Sequence, residues 1–278
     1  MAKKQPVIDK LVLPAKKLGL PLMPDYCERC HYIVLHMHGQ FPFAPFPSIF
    51  SVIDSNTKKI FDWCFREGDL HSALACLGNL TENLVVPTYQ TFQVDVGDDM
   101  VLRGSPDAIF KRDDGSLVIA DYKCAQARGE YDPLFPVYRA QLSAYKYLAE
   151  ALEWGTVAKM ALIYTEPFVM QTAEQVAACK TKDGIKLDLR VKVVEVEPLT
   201  DDEMNGLFDV ARKIYGLPVC PLQGRPGCRS CVQVDNLLDM VLPQIRAGAS
   251  ESLRDSIRYD VAMAASRIGA YARLFPSG

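Results

Sequence analysis

Apolar and polar positions change period several times along the chain, and each change predicts an element. The first 25 residues are rich in Lys and Pro and read as an extended arm, and the Phe/Pro segment 41–49 excludes regular helix. From Ser55, which with Asn56 can cap a helix, Ile60, Trp63, Glu67, Leu70, His71 and Leu74 recur at helical spacing, with Gly68 as a point where the segment can break. The period then drops to two. Thr91–Val96 alternates, Gly97-Asp98-Asp99 has turn chemistry, Met100–Phe110 reads as a second strand, Asp113-Asp114-Gly115 as a tight turn and Ser116–Lys123 as a third strand. A helix over 138–152, strands over 157–165 and 191–196, a helix over 200–215 opened by Thr200-Asp201-Asp202-Glu203, and a tail helix over 252–274 follow. Helix, meander, helix, strand describes one mixed α/β core with additions at both ends. We divide it into an N-terminal arm with a cysteine pair (1–54), a core (55–216) and a cysteine-containing loop with the C-terminal helix (217–278).

The candidate chemistry lies in the meander. Residues two apart on a strand share a face, so Asp121 and Lys123 project together and Tyr122 points away. A turn centred on Asp114 makes the preceding strand an antiparallel neighbour and sets Asp107 opposite Asp121. Two adjacent carboxylates repel unless a cation sits between them. Oxygen donors of this kind suit Mg²⁺ or Mn²⁺, which activates water and stabilises phosphoryl charge, and the lysine can orient or deprotonate the water. Alone, an Asp-x-Lys strand is more often a solvated surface pair. Here the apolar run Leu117-Val118-Ile119-Ala120 buries it, and Gln141 and Tyr145 follow at i, i+4 on one helix face.

Nine cysteines are more than core packing needs. Cys64, Cys76, Cys124 and Cys179 are isolated and read as buried residues. Cys27 and Cys30 form one C-x-x-C pair, Cys228 and Cys231 another, with Cys220 just upstream. Four thiolates fit either zinc or an iron–sulfur cluster. The net charge of −3 gives no global basic field, so any nucleic-acid contact has to come from a local patch. No run approaches the roughly 18–20 apolar residues of a membrane span, and no signal-like core follows the N-terminus, so a cytoplasmic, non-membrane protein is expected.

The order His71, Gly104-Ser105-Pro106-Asp107, Asp121-Tyr122-Lys123, Gln141-x-x-x-Tyr145 resembles the PD-(D/E)XK nuclease superfamily, in particular its RecB-like branch. The resemblance implies a restriction-endonuclease-like mixed sheet flanked by helices. It also implies metal binding by His71, Asp107, Asp121 and the main-chain carbonyl of Tyr122, with Lys123 orienting the water and Gln141 and Tyr145 holding DNA or supporting the site. Glu67 is the substitute for His71. The cysteines are similar to the clamp of CRISPR-associated iron–sulfur exonucleases, which implies a 4Fe-4S cluster on Cys27, Cys30, Cys228 and Cys231, with Cys220 as a substitute ligand and zinc as the alternative metal. No cysteine follows Cys231, where that family has a further ligand. The expected protein is a Mg²⁺- or Mn²⁺-dependent deoxyribonuclease, exonucleolytic on single-stranded or frayed DNA. Its partners would be DNA and other DNA-processing or CRISPR-adaptation proteins. The rival readings are a non-catalytic nucleic-acid-binding or recombination accessory protein that retains the fold, and a zinc-ribbon-like module with coincidental central motifs.

Overall fold

The computed structural model describes residues 10–37 and 48–248. In chain order the elements are β1 (Leu11–Pro14), α1 (Ala15–Leu18), α2 (Glu28–His36), α3 (Ser48–Glu67), β2 (Leu80–Leu84), β3 (Gln93–Asp95), β4 (Met100–Arg103), β5 (Ala108–Arg112), β6 (Leu117–Lys123), α4 (Phe135–Ala151), β7 (Val157–Pro167), α5 (Ala173–Ala178), β8 (Leu189–Glu195), α6 (Asp201–Tyr215) and α7 (Arg229–Gly248). The Phe/Pro segment over 41–47 and the tail helix with Arg254, Arg258, Arg267 and Arg273 lie outside the described residues. The chain divides into two compact units, one of residues 46–94 and 103–200, the other of 1–45, 95–102 and 201–278.

The first unit is built on a five-stranded mixed sheet in the order β2-β5-β6-β7-β8. β5 and β6 are antiparallel, with Ala108 opposite Ala120 and Phe110 opposite Val118, the register read from the sequence. The turn between them is closed by the Ser116 carbonyl accepting from Arg112 N–H at 2.8 Å, and Gly115 takes φ +82°, a region open to glycine without a Cβ clash. β6 and β7 run parallel, the direction that a long helical crossover such as α4 permits. Alternation sorts the side chains. Ala108, Phe110, Val118, Ala120, Tyr122, Ala161 and Ile163 share one buried cluster with Phe61 of α3, and Phe110 stacks on Phe65 at 5.1 Å. Asp121 and Lys123, out of phase with that set, meet Gln141 of α4.

Several sequence readings change here. α3 begins at Ser48, not Ser55, and stops before Gly68, so His71 is not helical: it caps a 3-10 turn over Ser72–Leu77. Its inward face carries Thr57, Phe61 and Cys64, whereas Ile60 and Trp63 are exposed. The edge strand β2 was not foreseen, because Leu80-Thr-Glu-Asn-Leu84 has apolar residues only at its ends and a bulge between Leu80 and Glu82 breaks its alternation. The predicted Met100–Phe110 strand is two strands. β4 pairs with β1 and β3 in a separate sheet, order β1-β4-β3, while β5 starts afresh after Pro106.

In the second unit the N-terminal stretch is structured rather than an extended arm. Leu11, Leu13, Ala15 and Leu18 are fully buried, and Leu11 N–H donates to the Asp99 carbonyl at 2.9 Å. α6 buries Met204, Leu207, Phe208, Ala211 and Ile214 at helical spacing, and its Arg212 holds Asp99 at 3.0 Å and the Val96 carbonyl at 2.8 Å. His36 of α2 stacks between Tyr32 and Tyr215, with ring centroids at 3.9 and 4.6 Å. Of the isolated cysteines, Cys64 is buried, Cys124 and Cys179 are half-buried, and Cys76 is exposed, which corrects its reading as a core residue.

Candidate active site and cysteine cluster

The sheet register carries Asp107 to Asp121 one step beyond the Ala108–Ala120 pair. Asp107 Oδ2 accepts from Tyr122 N–H at 2.9 Å, so the hairpin end itself orients this carboxylate. Asp121 is 4 % exposed and forms an ion pair with Lys123 through Oδ2. Its Oδ1 accepts from Gln141 Nε2 at 2.8 Å. The same amide nitrogen donates to Tyr145 Oη at 3.0 Å, and the amide oxygen accepts from Lys123 Nζ at 3.4 Å. Only one orientation of the Gln141 amide satisfies all three contacts, because a flipped amide would set its NH₂ against the ammonium. The i, i+4 spacing of Gln141 and Tyr145 thus becomes a bracket behind the Asp121–Lys123 pair. Tyr138 adds its ring face, 4.3 Å from Lys123 Nζ.

Sequence reasoning missed a second cationic contributor. Lys58 of α3 reaches Asp107 Oδ1 at 2.8 Å and Asp54 Oδ2 at 3.0 Å. Burial draws its ammonium down, but Asp107 and Asp54 more than offset this and hold its pKa above the ordinary lysine value. Asp54, Lys58 and Asp62 are spaced i, i+4, i+8, a charged stripe that reads from sequence as a solvated helix face. Asp54 and Lys58 instead turn toward the carboxylate. A cleft of about 690 Å³ borders this stripe, lined by Lys58, Asp62, Arg66, Asn83, Asp107 and Tyr122. A second, of about 420 Å³, is lined by Phe50, Asp54, Tyr122, Lys123 and Tyr138. Tyr122 borders both, and the Lys58–Asp54 ion pair links them.

His71 does not join this group. Its Nδ1 accepts from Ala73 N–H at 3.1 Å, and among the described residues His71, Asp107 and Asp121 form no common donor set. Two adjacent carboxylates nevertheless supply oxygen donors of the kind that Mg²⁺ or Mn²⁺ takes. The charge of the site points the same way. Burial raises the Asp121 carboxyl; Lys123 draws it back and Asp107 pushes it further up, to about 6 against an ordinary 3.8.

A stability prediction follows. Between about pH 4 and 6 the native state holds this proton more tightly than the unfolded chain, so the contribution is present at low pH and lost as pH rises through 6. Asp121→Asn removes the titration. In EDTA the stability gain of Asp121→Asn over wild type is expected to grow from pH 4 to 6, by on the order of 2 kcal/mol, and to level off above that. Thermal unfolding across that range is the check, and a gain that shrinks with rising pH would contradict the assignment.

The second unit gathers Cys27, Cys30, Cys228 and Cys231, whose sulfurs all lie within 4.8 Å of one another. Cys27 immediately precedes α2 and Cys228 immediately precedes α7, with Cys30 and Cys231 one turn in, so each pair sits at a helix N-terminus that favours thiolate. Arg225 N–H donates to Cys27 Sγ at 3.3 Å. Burial pushes the Cys27 thiol up, but this N–H and its neighbours bring it to about 7, whereas burial leaves Cys231 at about 12. Beside the sulfurs, Arg29 forms a two-pronged ion pair with Asp235 at 2.8 and 3.1 Å, tying α2 to α7. Cys220 is fully buried but stands outside the four-sulfur group. Four convergent thiols are a donor set for zinc or an iron–sulfur cluster.

Residues 64–233 match the model of the PD-(D/E)XK nuclease superfamily, more than half of the 278-residue chain. No curated protein matches the chain. A solved structure described as "Crystal structure of SSO0001" is similar over 78 % of this chain and 81 % of that one, at 14 % identity and a TM-score of 0.41.

Proposed function

We propose, for a chain that belongs to the PD-(D/E)XK nuclease superfamily, that it is a Mg²⁺- or Mn²⁺-dependent deoxyribonuclease acting on single-stranded or frayed DNA ends. The observation that carries this reading is the Gln141 bracket, which holds a buried carboxylate and a lysine side by side next to a second carboxylate. Asp107 and Asp121 would hold the ion, with the main-chain carbonyl of Tyr122 as a further ligand. When bound, the ion supplies Lewis-acid polarisation of the phosphoryl oxygen and a more acidic water. Lys123, held against Asp121 and Gln141, orients the attacking water and neutralises charge developing on the phosphoryl oxygens. Gln141 and Tyr145 fix the positions of Asp121 and Lys123, and Lys58 with Arg66 offers a cationic approach for the phosphate backbone.

Single-strand preference is supported by the second cleft, which Phe50 and Tyr138 line together with Lys123. Aromatic faces beside cations suit unpaired bases, which stack without sequence readout. The Gln-x-x-x-Tyr helix and the cysteine pairs at both ends support placement in the RecB-like branch, near the CRISPR-associated exonucleases, with a cytoplasmic role among DNA-processing proteins. Among the described residues no helix is long and apolar enough to cross a membrane.

The test is cleavage of end-labelled single-stranded, duplex and circular DNA with Mg²⁺, with Mn²⁺ and with EDTA. Metal-dependent shortening of the linear single strand, sparing of the closed circle and loss of activity in Asp121→Asn are expected. Tight binding without turnover under every metal would replace this reading with the non-catalytic one.

A further inference from the structure

The four cysteines admit a sharper identification than their sequence allows, and it is independent of the nuclease reading. A tetrahedral ion with metal–sulfur bonds of about 2.3 Å holds its four sulfurs about 3.8 Å apart. Here Cys27 and Cys231 stand 3.5 Å apart, Cys30 and Cys228 3.5 Å, and Cys30 and Cys231 3.4 Å. All the separations in the set stay within 4.8 Å. A single ion at the centre therefore requires outward shifts of only a few tenths of an ångström at the shortest contacts.

A four-iron cluster sets a different demand. Each thiolate then binds its own iron, so the sulfurs are spread by the breadth of the iron–sulfide cage in addition to their own bonds. Sulfurs all within 4.8 Å of one another are too close to bracket that cage unless they move apart. The backbone closes the remaining space. A Cβ at Gly224 would lie 2.2 Å from Cys231 Sγ and 3.3 Å from Cys27 Sγ, so the 224–228 loop lies directly against the sulfurs. On the helix side the Arg29–Asp235 pair fixes the spacing of α2 and α7, and Arg29 is 3 % exposed, which resists the separation a cluster would need.

We propose that Cys27, Cys30, Cys228 and Cys231 form a mononuclear tetrathiolate zinc site that clasps α2 to the start of α7, in place of an iron–sulfur cluster. The symmetric arrangement, two C-x-x-C pairs each opening a helix, supplies two sulfurs from each side and leaves no open coordination position. The role is structural and redox-inert, as in closed zinc sites generally. Gly224 is part of the site, because any side chain there displaces Cys231.

The experiment uses the full chain, purified anaerobically from cells supplied with both iron and zinc, then dialysed against EDTA to strip weakly held ions. Elemental analysis is expected to give one zinc per chain, with neither acid-labile sulfide nor a visible absorption band. A thiol-directed mercurial should release that zinc, and cobalt substitution should give the intense visible spectrum of a tetrahedral cobalt thiolate. Gly224→Ala is expected to lower zinc affinity by about tenfold or more. Gly206→Ala, on α6 with open space around its added Cβ, should keep full zinc. Iron with labile sulfide, a chain that binds no metal, or zinc retained undiminished in both Gly224→Ala and Cys231→Ser would each overturn the proposal.

Discussion

Lys123→Ala is expected to lower the DNA cleavage rate by roughly 10³-fold, within the range for removing a preorganised donor or a general acid–base group. DNA affinity should change by only a few-fold. The effect has two parts. The ammonium lies on Asp121, beside the place where water and phosphate would meet, so its loss removes charge stabilisation from the transition state. It also removes the group that draws the Asp121 carboxyl down against burial, so that carboxyl rises further and the rising limb of the pH–rate profile moves to higher pH. Single-turnover cleavage from pH 5 to 9, with binding measured in Ca²⁺, separates the two parts. Cleavage within tenfold of wild type across that range would remove Lys123 from the chemistry. Lys123→Arg sharpens the result, since a guanidinium retains the charge but not the compact reach to Gln141 Oε1.

How much of this site was legible beforehand follows from the range of the interactions involved. The Asp107–Asp121 pairing depends on one tight turn and strict alternation, both local, so the register could be read from Asp113-Asp114-Gly115 alone. Gln141 and Tyr145 were legible for the same reason, as i, i+4 neighbours on a helix. The failures are tertiary. Alternation identified Thr91–Val96 and the start of Met100–Phe110 as strands but carries no information about partner, and there β3 pairs with β4, and β4 with β1, instead of extending the five-stranded sheet. On α3, Ile60 and Trp63 marked a plausible apolar face, yet the sheet receives Phe61 and Cys64, some 100° further round the helix. That rotation is what turns Asp54 and Lys58 toward Asp107. His71 shows a related error, because the helix expected to carry it ends before Gly68 and His71 instead caps the 3-10 turn over Ser72–Leu77. The lysine- and proline-rich start concealed Leu11, Leu13, Ala15 and Leu18, whose burial depends on strand and helix partners elsewhere in the chain.

Lys58 gives the second large effect, in the opposite direction from an ordinary loss. Its ammonium sits on Asp107 Oδ1 while Tyr122 N–H holds Oδ2, so both oxygens of one proposed metal ligand already have donors. A divalent ion must therefore displace Lys58 from Asp107 before it can use that oxygen fully. Two unit charges about 4 Å apart interact by about 4 kcal/mol at an effective dielectric of 20, but partial exposure of the ammonium screens much of this. We therefore expect Lys58→Met to tighten divalent-ion binding about tenfold, or ~1.4 kcal/mol, measured without DNA by Mn²⁺ titration. The same substitution should weaken DNA binding and reduce its salt dependence by about one released counterion, because Lys58 lines the cleft together with Arg66. The combination distinguishes a built-in competitor cation from a purely structural ion pair. A structural pair would lower thermal stability and leave both binding constants where they were. Unchanged or weaker Mn²⁺ binding by a folded Lys58→Met protein would show that Lys58 does not compete for Asp107, and that the carboxylate is open to metal as it stands.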